Sequence, residues 1–488
     1  MAFQSCSYLA LLAGAAAVCP ALARRSGRAA RWTLLAFCVL FYLGSGARGL
    51  FVLAAGLCVT AAALRALRAG RRRAVAWAGA YHIAVLLVFK YTGFLTGGAV
   101  SVGWSPLGLS FFTFQQLWLL KESATGAFSP PDPLTADTLA LHGLFFPSVS
   151  SGPILRPEAF FPQAADGHFL RPDWTDRAQG LYALCFGMAK KVLLADPLGA
   201  VVNSGYARAG ELTAPAAWLV ILGYTLQLYF DFSGYCDIAA GSARLLGVRL
   251  PVNFDSPYRS LSLGEFWKRW HMTLTAFLRE CVYFPLGGSR GGTARTCRNI
   301  LLVYLISGLW HGAGWTFLVW GALHGLGQVI ERLWGRGRDR LPRWAQWALT
   351  FGFVNLAWVF FRAPDLDTAG TVLRQALLGG WGLPAWLAED LLPSEAQALR
   401  VLGLGGRTAE TLLPYENAEL HCFLDDMDVI LDLDNYADHI HAAGRVTYAM
   451  AEALPGGAYR LTPENARQRL DALHEFVVNY DYEPLFQP

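Results

Sequence analysis

Apolar runs of about the length needed to cross a bilayer recur from the N-terminus to position 361 of this 488-residue chain. A hydrocarbon core takes about 20 mostly apolar residues per helical span. Candidate segments lie near 5–23, 32–47, 49–64, 74–89, 105–120, 136–148, 180–202, 213–230, 262–284, 297–310, 313–331 and 344–361. Several are short enough to be re-entrant or interfacial, so roughly nine to twelve apolar segments are expected. Hydrophobic residues make up 54% of the chain, charged residues only 16%, and the mean hydropathy is +0.33. That balance excludes an ordinary soluble enzyme and fits an all-α polytopic membrane protein. Helices are expected because lipid offers backbone groups no hydrogen-bond partners, and the runs lack the alternation of a membrane β-barrel.

The formal net charge of +4 conceals two parts of opposite sign. From Glu389 to the C-terminus there are 18 acidic and 6 basic residues, leaving 18 acidic and 34 basic in residues 1–388. A membrane-embedded domain over 1–384 and an acidic soluble tail over 385–488 follow from this break. Arg24, Arg25, Arg28 and Arg31 form one basic cluster, and Arg65, Arg68, Arg71, Arg72 and Arg73 another. Two apolar runs joined by a Ser45–Gly49 turn separate them. Placing both clusters on the cytoplasmic side satisfies the positive-inside tendency and puts the N-terminus outside. The first run is read as a retained span, since no basic region precedes it. The nine cysteines contain no CxxC pair and suggest packing rather than disulfides or zinc. No metal site and no nucleic-acid partner are expected.

Ionisable residues at membrane depth are costly and mark candidate sites. Residues 226–248 embed Asp231 and Asp237 among aromatic and small residues. Residues 250–288 carry Asp255, Arg259, Glu265, Lys268, Arg269, His271, Arg279 and Glu280, too many charges for a lipid-facing span. Phe266, Trp270, Leu274 and Phe277 recur at helical spacing there, so the segment reads as a helix lying in the interface or lining a polar cavity. Pro257, within Asn253-Phe-Asp-Ser-Pro-Tyr, breaks any helix before it. Residues 309–325 hold His311 and His324 among glycines that permit close approach. Their 13-residue separation sets them on opposite helix faces and argues against a shared metal. His311 has three readings from the residues alone: a packing histidine, a proton-relay residue, or a general base toward a hydroxyl. Neutral imidazole can accept a proton near working pH, and burial favours that form.

Seven stretches in order carry a family resemblance: KYTGF (90–94), PLGLSFFTFQ (106–115), FFPSVSSGPILRPEAFFPQ (145–163), FDFSGYCDIAAG (230–241), NFDSPYRSLSLGEFWKRWHMTLTAFLRECVYFPLGG (253–288), SGLWHGAGWTFLVWGALHG (307–325) and WVFFRA (358–363). They resemble the membrane-bound O-acyltransferase family in its alginate O-acetyltransferase-like branch. The resemblance implies transfer of an acyl group, acetyl in the alginate branch, from a cytoplasmic thioester donor to a hydroxyl of an exported cell-envelope polysaccharide or polymer. It implies His311 as the catalytic base and His271 as a second active-site residue. The donor, acetyl-CoA or an acyl carrier protein, is a co-substrate, and no permanently bound cofactor is implied. Trp270 and Trp315 offer indole N–H groups for a developing oxyanion. Asp231, Asp237, Tyr258, Arg259, Lys268 and Arg269 are candidates to line the cavity or support it. His324 is expected in the core.

Residues 406–486 resemble instead the C-terminal end of SGNH-hydrolase-like proteins that act outside the membrane beside such acyltransferases. Asp438 and His441 match that family's acid and base, but no Gly-Asp-Ser-type nucleophile block occurs, so the tail cannot complete a triad. The expectation is a multi-pass membrane O-acyltransferase of the bacterial cytoplasmic membrane. Its rivals are a polytopic transporter or channel, and a membrane scaffold left inactive by missing spans.

Overall fold

The computed structural model describes residues 3–384, apart from breaks at 45, 101, 130–133, 150–151, 166–168 and 383, together with the residue pairs 420–421 and 460–461. Two compact units divide the chain, Met1–Pro384 and Ala385–Pro488. In the second, β1 (Leu420–His421) and β2 (Arg460–Leu461) pair antiparallel, Leu420 opposite Leu461. Asp438 and His441 lie outside the described residues.

The first unit is helical. Its elements are α1 (Cys6–Ala23), α2 (Gly27–Leu43), α3 (Ala47–Arg68), α4 (Arg73–Leu95), α5 (Leu109–Thr125), α6 (Ala136–Leu144), α7 (Pro157–Ala165), α8 (Trp174–Ala189), α9 (Asp196–Ala207), α10 (Ala214–Leu245), α11 (Leu263–Arg269), α12 (Met272–Leu278), α13 (Gly292–His311), α14 (Trp315–Trp334), α15 (Arg343–Arg362) and α16 (Leu366–Leu378). Side chains that bond to free backbone N–H groups start many of them. Ser26 accepts from Ala29 N–H at 3.3 Å and Ser262 from Glu265 N–H at 2.9 Å. Asp365 accepts from Thr368 N–H at 2.7 Å, and that bond holds its carboxyl below the usual carboxylate value.

Among the described residues, α1, α3, α4 and α15 are long and apolar enough to cross a membrane. Helices α10, α13 and α14 are as long and carry Asp231, Asp237, His311 and His324. Three expected segments take a different form. The run at 136–148 forms the nine-residue α6, about 14 Å long and too short to span. The segment at 180–202 is α8 and α9 joined through a π-helical stretch, Lys190–Ala195. The helix expected over 262–284 breaks at Trp270 and His271, where Trp270 is extended and His271 adopts a left-handed conformation (φ 44°, ψ 55°). The i, i+4 face read across that break is therefore two short helices meeting at a corner.

Glycines set a close backbone contact between α8 and α10. A Cβ on Gly187 would lie 2.5 Å from Gly234 O, and one on Gly241 would lie 2.6 Å from Gly180 O. Helices α8 and α10 thus run antiparallel with backbones touching at two points seven residues apart, the small-residue packing used between membrane helices. This contact brings Lys190 and Lys191 against the acidic face of α10. Gly187→Ala and Gly241→Ala are each expected to destabilise the protein by about 1–3 kcal/mol through overpacking. Gly352→Ala, where a Cβ meets nothing within 4 Å, is expected to be neutral or slightly stabilising. Thermal unfolding in detergent reads the difference.

Candidate functional site

Residue His311 is the last residue of α13, and the extended Gly312 that follows turns the chain toward α14. A Cβ on Gly312 would overlap the Phe317 ring at 2.1 Å, so this corner needs glycine. The last carbonyls of a helix lack partners within it. Here α4 supplies them: Lys90 Nζ donates to Trp310 O and Tyr91 Oη donates to Leu309 O. Two adjacent side chains of one helix thus fasten the end of another where His311 stands. The imidazole itself sits edge-on to Trp310, Trp320 and Phe361, with ring centroids 4.8, 5.1 and 5.0 Å away.

His271 occupies the corner between α11 and α12 and is 1% exposed. Asn253 holds it there. Asn253 O accepts from Met272 N–H at 3.0 Å, and Asn253 Oδ1 accepts from Thr273 N–H at 3.1 Å and Thr273 Oγ1 at 3.0 Å. Because the Thr273 amide can only donate, the Asn253 atom facing His271 is the oxygen. His271 Nδ1, 3.3 Å away, must then carry the proton, which leaves Nε2 with its lone pair. That Nε2 is buried and has no hydrogen-bond partner among the described residues. A buried acceptor without a partner is costly unless something else uses it.

Both histidines line one cavity of about 330 Å³ within the first unit. Its polar lining is Lys90, Ser110, Asp231, His271 and His311, and aromatic rings that include Phe111, Trp270 and Trp310 form much of the rest. Trp310 Nε1 is a buried donor with no partner among the described residues. The cavity is apolar-walled with a few convergent polar groups, the composition of a small-molecule site. Among the described residues no three His, Cys, Asp or Glu side chains cluster as metal ligands do.

The other sequence candidates divide. Asp231 lines the cavity and pairs with Lys191 at 2.8 Å, while Lys191 also pairs with Asp196 at 2.5 Å. Asp237 pairs with Lys190 at 2.6 Å and supports the α8–α10 contact. Tyr258 Oη donates to Thr225 O at 2.9 Å, and Arg269 pairs with Asp255 and Glu265, both away from the cavity lining. Arg259 is also absent from that lining, and Lys268 lines a separate cavity of about 320 Å³. His324 is fully buried, accepts from Trp267 Nε1 at 3.2 Å and packs against Trp320. Trp270 lines the cavity, but Trp315 is 65% exposed and stacks edge-on with Phe94 outside it. The indole suited to the cavity alongside Trp270 is therefore Trp310, not Trp315. Sequence reading had also assigned no role to Lys90, Ser110 or Asn253. A lysine inside the apolar run of α4 was a signal that could have found Lys90; Asn253 had only its place before a proline to mark it.

The profile of the membrane-bound O-acyltransferase family matches residues 109–363. That span starts at the first residue of α5, ends just past α15 and takes in every cavity-lining residue except Lys90. A peptidoglycan O-acetyltransferase of Helicobacter pylori is 38% identical over 328 residues, 60% of this chain and 62% of that protein. A probable alginate O-acetylase of Pseudomonas aeruginosa is 38% identical over 288 residues, 57% of this chain and 53% of that protein. A teichoic acid D-alanyltransferase of Bacillus subtilis is 27% identical over 286 residues, 53% of this chain and 68% of that protein. The chain spans less than two thirds of the length of the Helicobacter and Pseudomonas relatives it matches. With the family profile covering more than half of its length and enclosing the two-histidine cavity, the chain belongs to the membrane-bound O-acyltransferase family.

Proposed function

We propose that this chain is a membrane O-acyltransferase that moves an acyl group, acetyl in the simplest case, from a thioester donor to a hydroxyl of an exported cell-envelope polymer. The observation that carries the reading is the cavity into which His311 and His271 both open, with His271 held in the tautomer that leaves Nε2 as an acceptor. Residues 1–384 form the acyltransferase domain, in a multi-pass arrangement in a bacterial cytoplasmic membrane. On this reading more segments than the four apolar spans lie at membrane depth, and both basic clusters face the cytoplasm.

The chemistry needs one base and one donor. His311 takes the proton of the attacking hydroxyl as its oxygen bonds to the acyl carbon. The carbonyl oxygen gains charge, and the indole N–H of Trp310 is the nearby buried donor suited to it. As the C–S bond breaks, the imidazolium returns its proton to the leaving sulfur, so the thiol departs and the ester remains. His271 Nε2 orients the acceptor hydroxyl. Lys90 and Tyr91 keep the end of α13, and with it His311, in register. The donor is acetyl-CoA or an acyl carrier protein thioester. The acceptor is the polymer itself or an SGNH-like partner that relays the acyl group outside the membrane. The names of the relatives, acting on peptidoglycan, alginate and teichoic acid, define the acceptor class to test.

Purified chain in lipid nanodiscs, given radiolabelled acetyl thioester and a polysaccharide acceptor, is expected to form labelled ester. His311→Ala is expected to lower the rate by about 10²–10⁴-fold, the contribution of a positioned general base. Undiminished turnover in that variant removes His311 from the mechanism. Failure of the unsubstituted chain to transfer label to any of the three acceptor classes favours an inactive scaffold.

Asn253→Ala is expected to cost about tenfold or more in kcat, the rate equivalent of one lost orienting hydrogen bond. Thr273→Val loses the hydroxyl contact to Asn253 but keeps the His271 bond, and is expected to retain most of the activity. Equal losses in the two variants would show that Asn253 acts only on the fold of the corner.

A further inference from the structure

The lysines on the π-helical stretch between α8 and α9 are both neutralised. Lys191 pairs with Asp231 at 2.8 Å and with Asp196 at 2.5 Å, and Lys190 pairs with Asp237 at 2.6 Å. Lys90 of α4 is different. It lines the two-histidine cavity, and among the described residues no carboxylate pairs with it. Its ammonium has three N–H donors. One goes to Trp310 O and fastens the end of α13. A neutral donor meets that need equally well, since Tyr91 Oη does the same for Leu309 O. The charge on Lys90 is therefore more than the brace requires, and an ion without a counter-ion in a largely apolar wall is costly.

Acyl transfer at this site creates negative charge for a moment. When the acceptor oxygen bonds to the acyl carbon, the C=O π pair moves onto the carbonyl oxygen and the hydroxyl proton passes to His311. The oxyanion needs donors already aimed at it where water is excluded. Trp310 Nε1 is one such donor, buried and unpaired among the described residues. Lys90 Nζ stands 5.5 Å from the centroid of the same indole. Its bond to Trp310 O sets it beside the residue that precedes His311. Ammonium and indole thus meet at one corner of a cavity of about 330 Å³. The carboxylate in that lining, Asp231, is already held by Lys191.

We infer that Lys90 is a catalytic residue whose ammonium forms, with the Trp310 indole, the oxyanion hole of the transfer. The inference rests on the acyltransferase reading above. In the step Lys90 keeps its three protons and lends its remaining N–H groups to the charged oxygen. As the C=O bond re-forms, the C–S bonding pair leaves with sulfur, which takes the proton from the His311 imidazolium. Lys90 ends as it began.

Steady-state kinetics of the full chain in nanodiscs, with an acetyl thioester and the acceptor, tests this. Lys90→Gln offers Trp310 O a neutral amide donor and no charge. It is expected to lower kcat by about 10²–10³-fold, the loss found for one oxyanion-hole donor, with the acceptor KM little changed. Lys90→Arg keeps the charge and is expected to recover most of the rate. Tyr91→Phe removes the neighbouring brace and is expected to cost about tenfold at most, the worth of one hydrogen bond. A fluoroacetyl thioester separates charge from scaffolding. Fluorine itself draws charge from the oxyanion, so the Lys90→Gln loss is expected to be smaller with fluoroacetyl than with acetyl, whereas a displaced helix end slows both donors alike. Ser110→Glu sets a carboxylate in the same lining and leaves the brace untouched. It is expected to lower kcat with the same donor dependence, and it carries the test should Lys90→Gln fail to fold. Equal losses for the two thioesters, Lys90→Arg as slow as Lys90→Gln, an effect confined to the acceptor KM, or an unchanged kcat in Ser110→Glu would overturn the inference and leave the acyltransferase reading standing. No transfer from either thioester by the unsubstituted chain would remove that reading, and this inference with it.

Discussion

The contact between α4 and the end of α13 is the one on which the site depends. A helix that ends away from water leaves its last carbonyls without partners, and each unpaired group costs free energy comparable to a lost hydrogen bond. Lys90 and Tyr91 remove that cost at Trp310 and Leu309. In doing so they set where α13 stops, and where it stops is where His311 stands. The same lysine lies 5.5 Å from the Trp310 ring and lines the cavity, so one side chain braces the helix end and adds a positive charge to the site.

The same constraint arranges the acidic face of α10. Asp231 and Asp237 would be expensive alone in a largely apolar bundle. Each has a lysine, Lys191 and Lys190, neighbours in sequence on the π-helical stretch between α8 and α9. Glycine-to-glycine packing of α8 on α10 lets those lysines reach across. Several buried polar atoms lack partners among the described residues, His324 Nε2 and Trp320 Nε1 among them, so it is the shared cavity that singles out two of them. His271 Nε2 and Trp310 Nε1 are a buried acceptor and a buried donor on residues that line one cavity. An acyl transfer needs an acceptor and a donor in such a place.

Much of the site was legible residue by residue. His311 and His271 stood out because an imidazole in an apolar segment needs a reason, and the structure brings both to one cavity. Asp231 and Asp237 stood out for the same reason, yet only Asp231 reaches the cavity; the other supports helix packing. Lys268 and Arg269 are as conspicuous in sequence and line no part of it. Charge in an apolar run flags a candidate but cannot say which face it occupies once the helix bends. The corner at Trp270–His271 shows the limit: the apolar period runs through it unbroken, while the backbone does not. Asn253 holds that corner through contacts to residues 18 to 20 positions away, and no local pattern announces such a partner.

The amino-acid sequence by itself determined the helical class, the acidic character of the last hundred residues, the family and two histidines as candidates, because hydropathy, charge and motif are properties of neighbouring residues. The tertiary structure alone decided which polar groups meet: that Lys90 and Tyr91 close the end of α13, that His271 holds its proton on Nδ1, and that Trp310 rather than Trp315 offers its indole to the cavity. The reason is physical. The cost of an unpaired buried group is set by whatever packs against it, and those partners lie up to 220 residues away along the chain.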